Sequence, residues 1–311
     1  MSLPPHLARL DALETESVVD DHLALDELGT GELVALMNER DQHIAGAVRE
    51  ALPAITLAVE ATAERMQRGG RLVYVGAGTS GRLGVLDASE IPPTFGTNPE
   101  LVLGVIAGGY DALVSAVESV EDSEAAGAAD MDAHEIGALD TVVGIASSGR
   151  TPYVLGAVRR ASARGALTVG ISCNVDTPLS SVTHHPIEVP VGPEVVTGST
   201  RLGAGTATKM VLNMFSTISM IRLGKTYRTL MVDVRATNAK LRRRTVRIVM
   251  LATGVDADVA ARTLEAADWH AKLAIAMLAT GRDADDARTA LAEAGGVLRA
   301  VIDDRPTKEE A

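Results

Sequence analysis

The amino-acid sequence predicts an α/β protein in which a doubly wound parallel sheet is followed by a small all-helical domain. Between residues 70 and 200, short apolar runs rich in β-branched residues alternate with segments of helical periodicity. This alternation is typical of βα units, because parallel neighbours in a sheet need a crossover connection, usually a helix. Beyond about residue 238 the chain is rich in Ala, Leu and Arg and has no strand signal. The predicted strands are 72–75, 101–106, 141–146, 167–172 and 186–191.

The first group of helices is predicted from the spacing of apolar residues. Three-to-four spacing predicts one long helix over 32–68, which Gly69-Gly70 ends. A second long helix is predicted from Ser199 or Thr200 to Leu223. Shorter helices between the strands are predicted at 81–88, 111–119, 123–134 and 151–164.

Two similar turn-and-cap signatures divide the C-terminal region. Thr253-Gly254-Val255-Asp256 and Thr280-Gly281-Arg282-Asp283 each combine a glycine that ends one helix with an aspartate that caps the next. They predict three helices, 238–252, 256–279 and 283–303. The expected organisation is an N-terminal arm with the start of the long helix (1–50), a sheet domain (51–237) and a helical domain (238–311).

The composition argues against several classes of protein. The 311 residues carry 29 Lys and Arg against 41 Asp and Glu, a net charge of −12, whereas a nucleic-acid binder needs a basic face. A single cysteine excludes a disulfide scaffold and any multi-cysteine metal site. The sequence has neither a signal-peptide pattern at its start nor an apolar run of about 18 residues. We therefore expect a cytoplasmic protein that spans no membrane.

The sharpest local pattern is Val75-Gly76-Ala77-Gly78-Thr79-Ser80-Gly81, at a predicted strand-to-helix turn. Its glycines satisfy G-x-G-x-x-G, but the second strand ends in Ala107-Gly108-Gly109, where a dinucleotide fold needs an acidic residue for the ribose. We therefore expect no nicotinamide or flavin cofactor. The backbone N–H groups of the turn around Gly78, with the hydroxyls of Thr79 and Ser80, instead predict a phosphate site at a helix N-terminus.

A second hydroxyl-rich loop, Ser147-Ser148-Gly149-Arg150-Thr151-Pro152, follows the strand predicted at 141–146. Pro152 suits the first turn of a helix. The carboxyl ends of parallel strands meet at one edge of a sheet, so both loops are expected to face one ligand. Hydroxyl donors from Ser147, Ser148 and Thr151 suit a small phosphomonoester such as a sugar phosphate. Ordinary helix capping is the alternative, because Ser and Thr are common N-caps without any ligand.

Two carboxylates follow the helices next to these loops. Glu90 comes just after the helix predicted at 81–88, and Pro92-Pro93 and Gly96 fix the backbone beyond it. Glu121 lies in Val120-Glu121-Asp122-Ser123, a stretch that is also typical of a helix cap. Two acids near one site permit general acid and general base catalysis.

A third loop, 192–201, is rich in glycine and hydroxyls and opens the helix predicted to end at Leu223. Glu194 and Ser199 are candidate polar contacts to a ligand from this loop. His184-His185 has no acidic or cysteine partner in register, so we expect no metal site. Cys173 ends a strand and is expected to be a small packed residue.

These motifs, taken in order, resemble the N-acetylmuramic acid 6-phosphate etherases of the sugar isomerase (SIS) domain superfamily. The likeness runs from about Thr15-Glu16 to the C-terminus. It implies an SIS-type fold, a flavodoxin-like three-layer α/β/α arrangement, and a homodimer. The blocks that carry it are 76–84, 87–96, 107–109, 121–122, 144–154, 169–174, 191–201, 204–209 and 230–238.

The resemblance also implies a reaction that needs no cofactor. These enzymes cleave the D-lactyl ether of N-acetylmuramate 6-phosphate to N-acetylglucosamine 6-phosphate and D-lactate, in the recycling of cell-wall amino sugars. In the open-chain sugar the C2 proton is α to the C1 aldehyde, so a carboxylate can remove it before lactate leaves C3 and water adds. By motif position, Glu90 is implied to protonate lactate and activate water, and Glu121 to be the base at C2. The loops at Thr79-Ser80 and Ser147-Ser148-Thr151 match the phosphate cradle.

The sequence departs from the family pattern at a few places, among them Gly203, Thr208 and Thr229. None of the three belongs to the two carboxylates or the phosphate loops, so the implied reaction class is unaffected, although substrate choice is open to change. Two other activities fit the same fold. They are a non-catalytic sugar-phosphate-binding regulator and an aldose–ketose isomerase, and the isomerase would act on a hexose phosphate without a lactyl group.

Overall fold

The computed structural model describes residues 13–19, 24–115, 120–234 and 238–303, and its centre is a five-stranded parallel sheet. The strand order is β2-β1-β3-β4-β5, which confirms the predicted doubly wound α/β class. β1, β3 and β4 are buried along their whole length, as expected for strands covered on both faces. The strands are β1 (Leu72–Gly76), β2 (Val102–Ile106), β3 (Thr141–Ile145), β4 (Leu167–Ser172) and β5 (His185–Glu188).

The described chain forms two compact units. The first contains the described residues up to Ser89 together with Glu100–Ser216, and therefore the whole sheet. The second contains Glu90–Pro99 and the described chain from Thr217 onward. The domain boundaries predicted at residues 50 and 237 stay predictions.

The long helix predicted over 32–68 is in fact two helices, α1 (Thr30–Glu50) and α2 (Leu52–Gln67). The break falls at Ala51, two residues before Pro53. A proline inside a continuous helix lacks the N–H for one hydrogen bond, and its ring collides with the carbonyl four residues earlier. Restarting the helix places Pro53 in the first turn of α2, where neither cost arises.

The helix after β1 is longer than predicted, because α3 spans Gly78–Phe95 and runs through Pro92 and Pro93. Glu90 is therefore inside this helix, and the prediction that it follows the helix is wrong. The two prolines fall in the last turn, where the burial of Ile91 and Phe95 offsets their cost. Gly96, with φ of +62°, then ends the helix by donating its N–H to the Pro92 carbonyl at 2.9 Å.

The other elements of the first unit agree with the predictions except near residue 111. There a 3₁₀ turn, Tyr110–Leu113, replaces the predicted helix, and residues 116–119 lie outside the described residues. One short helix, Pro178–Val182, was not predicted. The remaining helices, in chain order, are α4 (Glu124–Ala133), α5 (Pro152–Ala163), α6 (Pro178–Val182) and α7 (Gly203–Arg222), of which α7 ends in the second unit.

The second unit contains five helices after α7, where the sequence predicted three. The predicted caps are present, since Asp256 and Asp283 accept backbone N–H groups and Gly254 and Gly281 are left-handed. Two extra breaks lie at Asp268-Trp269 and Gly295-Gly296, all with positive φ. The helices are α8 (Ala239–Thr253), α9 (Ala257–Ala266), α10 (Ala271–Thr280), α11 (Ala284–Glu293) and α12 (Leu298–Asp303).

A buried lysine stabilises this second unit. Lys272 Nζ donates to Asp233 Oδ2 at 2.6 Å and to the carbonyls of Gly224 and Gly296 at 3.0 Å each. All three ammonium protons are thus used, which is what the burial of a charge requires. In the parts of the chain that the structure describes, no helix has the length and apolarity needed to cross a bilayer.

Asp140 holds the amino-terminal ends of β1 and β3 together. Its Oδ1 accepts the backbone N–H of Arg71 at 2.9 Å, and its Oδ2 accepts Arg71 Nη2 at 2.7 Å and the N–H of Gly137 at 2.9 Å. Burial by itself raises the pKa of Asp140, but the bonds from Arg71 and Gly137 outweigh it and lower the pKa below the ordinary value.

We expect Asp140→Ala to lower the free energy of unfolding by about 2–3 kcal/mol at pH 7, since several charge-assisted bonds are lost. A carboxylate with a lowered folded-state pKa stabilises the fold above its unfolded-state pKa of about 3.9 and loses this effect as pH falls through the folded-state value. The difference between variant and wild type should therefore shrink below about pH 4 in urea titrations. Asp132→Ala, which removes exposed ion pairs to Arg160 and Arg164, is the control and should change stability far less. Equal effects of the two variants would contradict this prediction.

Two glycines allow α4 and α5 to pack backbone against backbone. A Cβ on Gly156 would lie 2.0 Å from the Glu124 carbonyl oxygen, and one on Gly127 would lie 1.9 Å from the Tyr153 carbonyl oxygen. Both distances are too short for any other residue without movement of a helix.

We expect Gly156→Ala to force α4 and α5 apart and to destabilise the protein by about 1–3 kcal/mol, as overpacking does in cores. Gly46→Ala is the matched control. Gly46 is exposed in α1 with nothing near its Cβ position, so alanine there should stabilise by about 0.5–1 kcal/mol through helix propensity. Urea unfolding of both variants measures the two shifts, and a stable Gly156→Ala protein would contradict the packing argument.

Candidate active site

The two hydroxyl-rich loops lie side by side at the carboxyl edge of the sheet. β1 pairs with β2 on one side and with β3 on the other, so the chain reverses direction across the sheet at β1. In a doubly wound sheet, ligands bind at this switch point. Gly76 and Ile145, the last residues of β1 and β3, are paired in register, so the loops that follow them leave from neighbouring positions.

The first loop brings the start of α3 against the end of β1. A Cβ on Gly76 would lie 2.7 Å from the Gly81 nitrogen, and one on Gly81 would lie 2.7 Å from the Gly76 carbonyl oxygen. Gly78 has φ of +52°, which favours glycine. The turn therefore directs the N-terminus of α3, with Thr79 and Ser80 in its first turn, toward the switch point, as an anion site requires.

The second loop is held in place by its backbone. Gly149, with φ of +63°, donates to the Ala146 carbonyl at 2.8 Å and accepts the Leu179 N–H at 3.0 Å. A Cβ at Gly149 would lie 2.3 Å from Thr177 Cβ, so no side chain fits there. Thr151 is the N-cap of α5, but its hydroxyl accepts no capping hydrogen bond in the described structure, and Pro152 opens the helix as predicted.

Glu121 lies against the first loop. A Cβ on Gly78 would be 3.3 Å from Glu121 Oε1, and the Glu121 carbonyl accepts the Tyr153 N–H at 3.0 Å. Ser123, rather than Glu121, caps α4 by accepting the Ala126 N–H at 3.1 Å. The structure thus places the Glu121 carboxylate against the Gly78 turn and its backbone carbonyl at the start of α5, while a role for Glu121 as general base stays a prediction.

Glu90 has a different setting from Glu121. It lies in α3 ten residues after Ser80, within the part of the helix that belongs to the second unit. Its side chain is exposed, so it is open to solvent and to a ligand. A catalytic role for Glu90 stays a prediction that depends on the family resemblance.

The carboxylate of the third loop, Glu194, has a structural contact that the sequence did not predict. Glu194 is buried, and its two oxygens accept the N–H groups of Gly203 at 2.8 Å and Ala204 at 2.9 Å. These are the first N–H groups of α7, so Glu194 caps that helix. A ligand contact by Glu194 stays a prediction, and the burial of its side chain argues against it. Ser199 is half-buried in the turn before α7.

The start of α7 lies beside the first loop. A Cβ on Gly205 would lie 3.7 Å from Thr79 Cγ2 and 3.6 Å from the Thr200 carbonyl oxygen. The third loop, which includes Ser199, therefore leads directly to the neighbourhood of Thr79. This placement is consistent with Ser199 as a contact to the ligand, which stays a prediction.

A buried polar network that the sequence analysis missed links β1, α3 and α7. Asp87 accepts the Tyr74 hydroxyl at 3.0 Å and Asn213 Nδ2 at 3.0 Å. Burial raises the pKa of Asp87 above its ordinary value, while the bonds from Ser216, Tyr74 and Asn213 act in the opposite direction. The only signal in the sequence was an Asp three residues before Glu90, which is typical of any helix face.

Cys173 is an inert residue at this edge of the sheet. It is buried, and burial raises the pKa of its thiol to about 12, so no thiolate is available at neutral pH. Its position agrees with a packed residue rather than a nucleophile.

Two family models each match a part of the chain. Residues 54–162 match the glucokinase regulatory protein N-terminal SIS domain, and residues 117–219 match the SIS domain. Among solved structures, the chain is similar to a phosphoheptose isomerase from Francisella tularensis, with a TM-score of 0.47 and 18% identity over 60% of this chain and 97% of that chain.

Full-length relatives are far more similar. An N-acetylmuramic acid 6-phosphate etherase from Streptomyces coelicolor is 54% identical over 97% of this chain and 98% of its own length. The etherase from Rubrobacter xylanophilus is 56% identical over 96% and 98%, and that from Mycolicibacterium smegmatis is 55% identical over 94% and 98%. Because this identity extends over nearly the whole of each chain, the chain belongs to the N-acetylmuramic acid 6-phosphate etherase family of SIS-domain proteins.

Proposed function

We propose that this protein is a carbon–oxygen lyase that converts N-acetylmuramate 6-phosphate and water to N-acetylglucosamine 6-phosphate and D-lactate. The observation that carries the proposal is the identity above 50% with etherases along nearly the whole chain. The regulator and the isomerase have no comparable support, and the activity belongs to amino-sugar catabolism.

The phosphate of the substrate binds between the two loops at the β1/β3 switch point. Two helix N-termini, those of α3 and α5, present backbone N–H groups and partial positive charge there. Hydroxyls from the same loops add donors that match the three terminal oxygens of a phosphate. The binding residues are Gly78, Thr79, Ser80, Ser147, Ser148 and Thr151, with Ser199 and, less directly, Glu194 from the third loop.

Glu121 is the base that removes the C2 proton of the open-chain sugar. Its support is its position in the family motif and the place of its carboxylate against the Gly78 turn, next to the loop proposed to hold the phosphate. The C2 proton is α to the C1 aldehyde, so the electrons of the broken C–H bond delocalise onto the carbonyl oxygen. They then return to form the C2–C3 double bond as the C3–O bond to lactate breaks.

Glu90 is the acid that protonates the departing lactate oxygen and then the base that activates the water. The water oxygen bonds to C3, and C2 regains a proton, so the product has the atoms of the substrate plus water minus lactate. The support for Glu90 is its position in the family motif and its exposed side chain. No cofactor takes part in this sequence of steps.

The test is turnover of N-acetylmuramate 6-phosphate in ¹⁸O-water, with D-lactate and the sugar followed by mass spectrometry. We expect unlabelled lactate and one ¹⁸O at C3 of the sugar, because water attacks C3 and the ether oxygen leaves with lactate. Glu121→Gln and Glu90→Gln should each lower kcat by about 10²–10⁴-fold, the usual contribution of a proton-transfer group. Asp122→Asn, at the exposed neighbour of Glu121, is the matched control and should retain activity.

Several results would contradict the proposal. Label in lactate would mean that water attacks the lactyl carbon, and turnover of a plain hexose phosphate with no release of lactate would indicate the isomerase. Binding without turnover by the wild type would indicate the regulator. Full activity in Glu121→Gln would remove Glu121 from the mechanism while leaving the reaction class intact.

A homodimer is the second part of the proposal. Its support is the set of large apolar side chains that α1 and α2 expose, including Val34 at 64% and Leu57 at 59%. Exposed apolar residues on adjacent helices are characteristic of a subunit interface. SIS domains in this family are expected to pair, as the resemblance implies.

We expect sedimentation velocity to give twice the 32.4 kDa chain mass. Leu57→Glu should shift the protein toward the monomer, because a charge in an apolar interface is costly to desolvate. Leu251→Glu, at a similarly exposed leucine in α8, is the control and should not change the mass. A monomeric wild type at micromolar concentration would overturn this part of the proposal.

A further inference from the structure

A short N-terminal segment, Leu13–Ser17, lies at the same edge of the sheet as the phosphate loops. It contains one 3₁₀ turn, Glu14–Glu16, which has no stability of its own in water. Yet Leu13 and Thr15 are buried, Thr15 completely. The segment must therefore be anchored by contacts to the rest of the first unit.

The anchor is the side chain of Asn174, which follows β4 and is buried. Asn174 Nδ2 donates to Thr15 Oγ1 at 3.0 Å and to the Ser147 carbonyl at 2.9 Å. The Thr15 N–H makes a longer contact to Asn174 Oδ1 at 3.5 Å. Both amide protons of Asn174 are thus used, one on the N-terminal segment and the other on the phosphate loop.

These bonds determine how the Ser147-Ser148 peptide is oriented. The Ser147 carbonyl also accepts the Cys173 N–H at 2.9 Å, so two donors hold it toward β4. In a planar trans peptide the N–H points opposite to the carbonyl, so the Ser148 N–H is directed away from Asn174 and β4. Within the described ranges no acceptor pairs with this N–H, which leaves it available for a phosphate oxygen.

The segment also contacts the third loop. A Cβ on Gly198, which has φ of +73°, would lie 2.9 Å from Glu16 Oε2. Leu13–Ser17 is therefore joined to the loop that contains Ser147 through Asn174 and lies directly against the loop that contains Ser199. Its two contacts lie 159 residues and more than 180 residues away along the chain.

We propose that Thr15 and Asn174 are positioning residues for phosphate binding, which orient the Ser147-Ser148 peptide so that its N–H and the neighbouring hydroxyls face the phosphate. The inference rests on the proposed function only in taking a sugar phosphate as the ligand. Asn174 bonds to the loop, Thr15 bonds to Asn174, and neither acts on the substrate directly, so their loss weakens affinity and leaves the chemical step intact.

The test compares Thr15→Val with Thr15→Ser in steady-state turnover of N-acetylmuramate 6-phosphate. Valine keeps the β-branched shape but removes the hydroxyl, and it leaves one amide proton of Asn174 unpaired. We expect KM to rise about 10-fold in Thr15→Val with kcat within 2-fold of wild type, whereas Thr15→Ser stays within 2-fold on both. Ser17→Ala removes an exposed hydroxyl of the same segment, which donates to Glu14, and should have no effect.

Calorimetric titration with N-acetylglucosamine 6-phosphate separates this proposal from the proposed function, because it needs no turnover. Thr15→Val and Asn174→Leu should weaken this ligand about 10-fold, and the double variant should be no weaker than Asn174→Leu within 2-fold, since the two residues act through one bond. Thermal unfolding of each free variant establishes that it is folded. If the wild type binds N-acetylglucosamine 6-phosphate but releases no lactate from N-acetylmuramate 6-phosphate, the proposed reaction is wrong. The affinities of the variants for N-acetylglucosamine 6-phosphate still decide whether Thr15 and Asn174 are positioning residues.

Three outcomes would overturn the positioning role. One is unchanged affinity in Thr15→Val. Another is equal loss in Thr15→Ser and Thr15→Val, which would make the effect one of packing volume. The last is a fall in kcat at constant KM, which would place Thr15 in the chemical step.

Discussion

The site depends on one topological constraint, the reversal of chain direction across the sheet at β1. Because β1 lies between β2 and β3, the loops that leave β1 and β3 start side by side at one edge of the sheet, and the helices that follow them pass to opposite faces. Each loop leads into a helix whose first N–H groups have no partner within the helix. Two sets of such groups at one place form an anion site before any side chain is considered.

Close backbone approach makes this arrangement possible. The first turn of α3 packs on the end of β1 through Gly76 and Gly81, and α5 packs on α4 through Gly127 and Gly156. Because Gly127 and Gly156 let α4 and α5 come close together, the Glu121 carbonyl can accept the Tyr153 N–H. The Glu121 carboxylate, which lies against Gly78, is therefore positioned by helix packing as well as by its own loop. The glycines therefore shape the site by allowing the backbones of neighbouring elements to approach closely.

A feature of this structure could be predicted from the sequence when it depends on residues that are close together along the chain. Strands of apolar residues, aspartate caps at 256 and 283, and hydroxyl loops after β1 and β3 are local patterns, and all are present in the structure. The break at Asp268-Trp269 and the continuation of α3 through Pro92-Pro93 are set by packing, which overrides local preference, whereas the break at Ala51 follows from Pro53, a local signal that the apolar spacing concealed. The capping of α7 by Glu194 and the link from Thr15 to Asn174, across 159 residues, left no local signal, while a ligand contact by Glu194 stays a prediction.

In the proposed site, phosphate binding and chemistry fall to different groups. The phosphate is not altered in the reaction, so the cradle binds substrate, transition state and product about equally and sets affinity more than rate. Rate depends on groups placed at the reacting carbons, which here are the carboxylates proposed at Glu121 and Glu90. An elimination at C2 and C3 and an isomerisation at C1 and C2 both begin with the removal of the C2 proton. What separates them is an acid that can protonate an oxygen leaving C3. If Glu90 is that acid, as we propose, the specificity of this chain depends on Glu90 and its surroundings more than on the phosphate loops, which are the part of the proposed site most evident in the sequence.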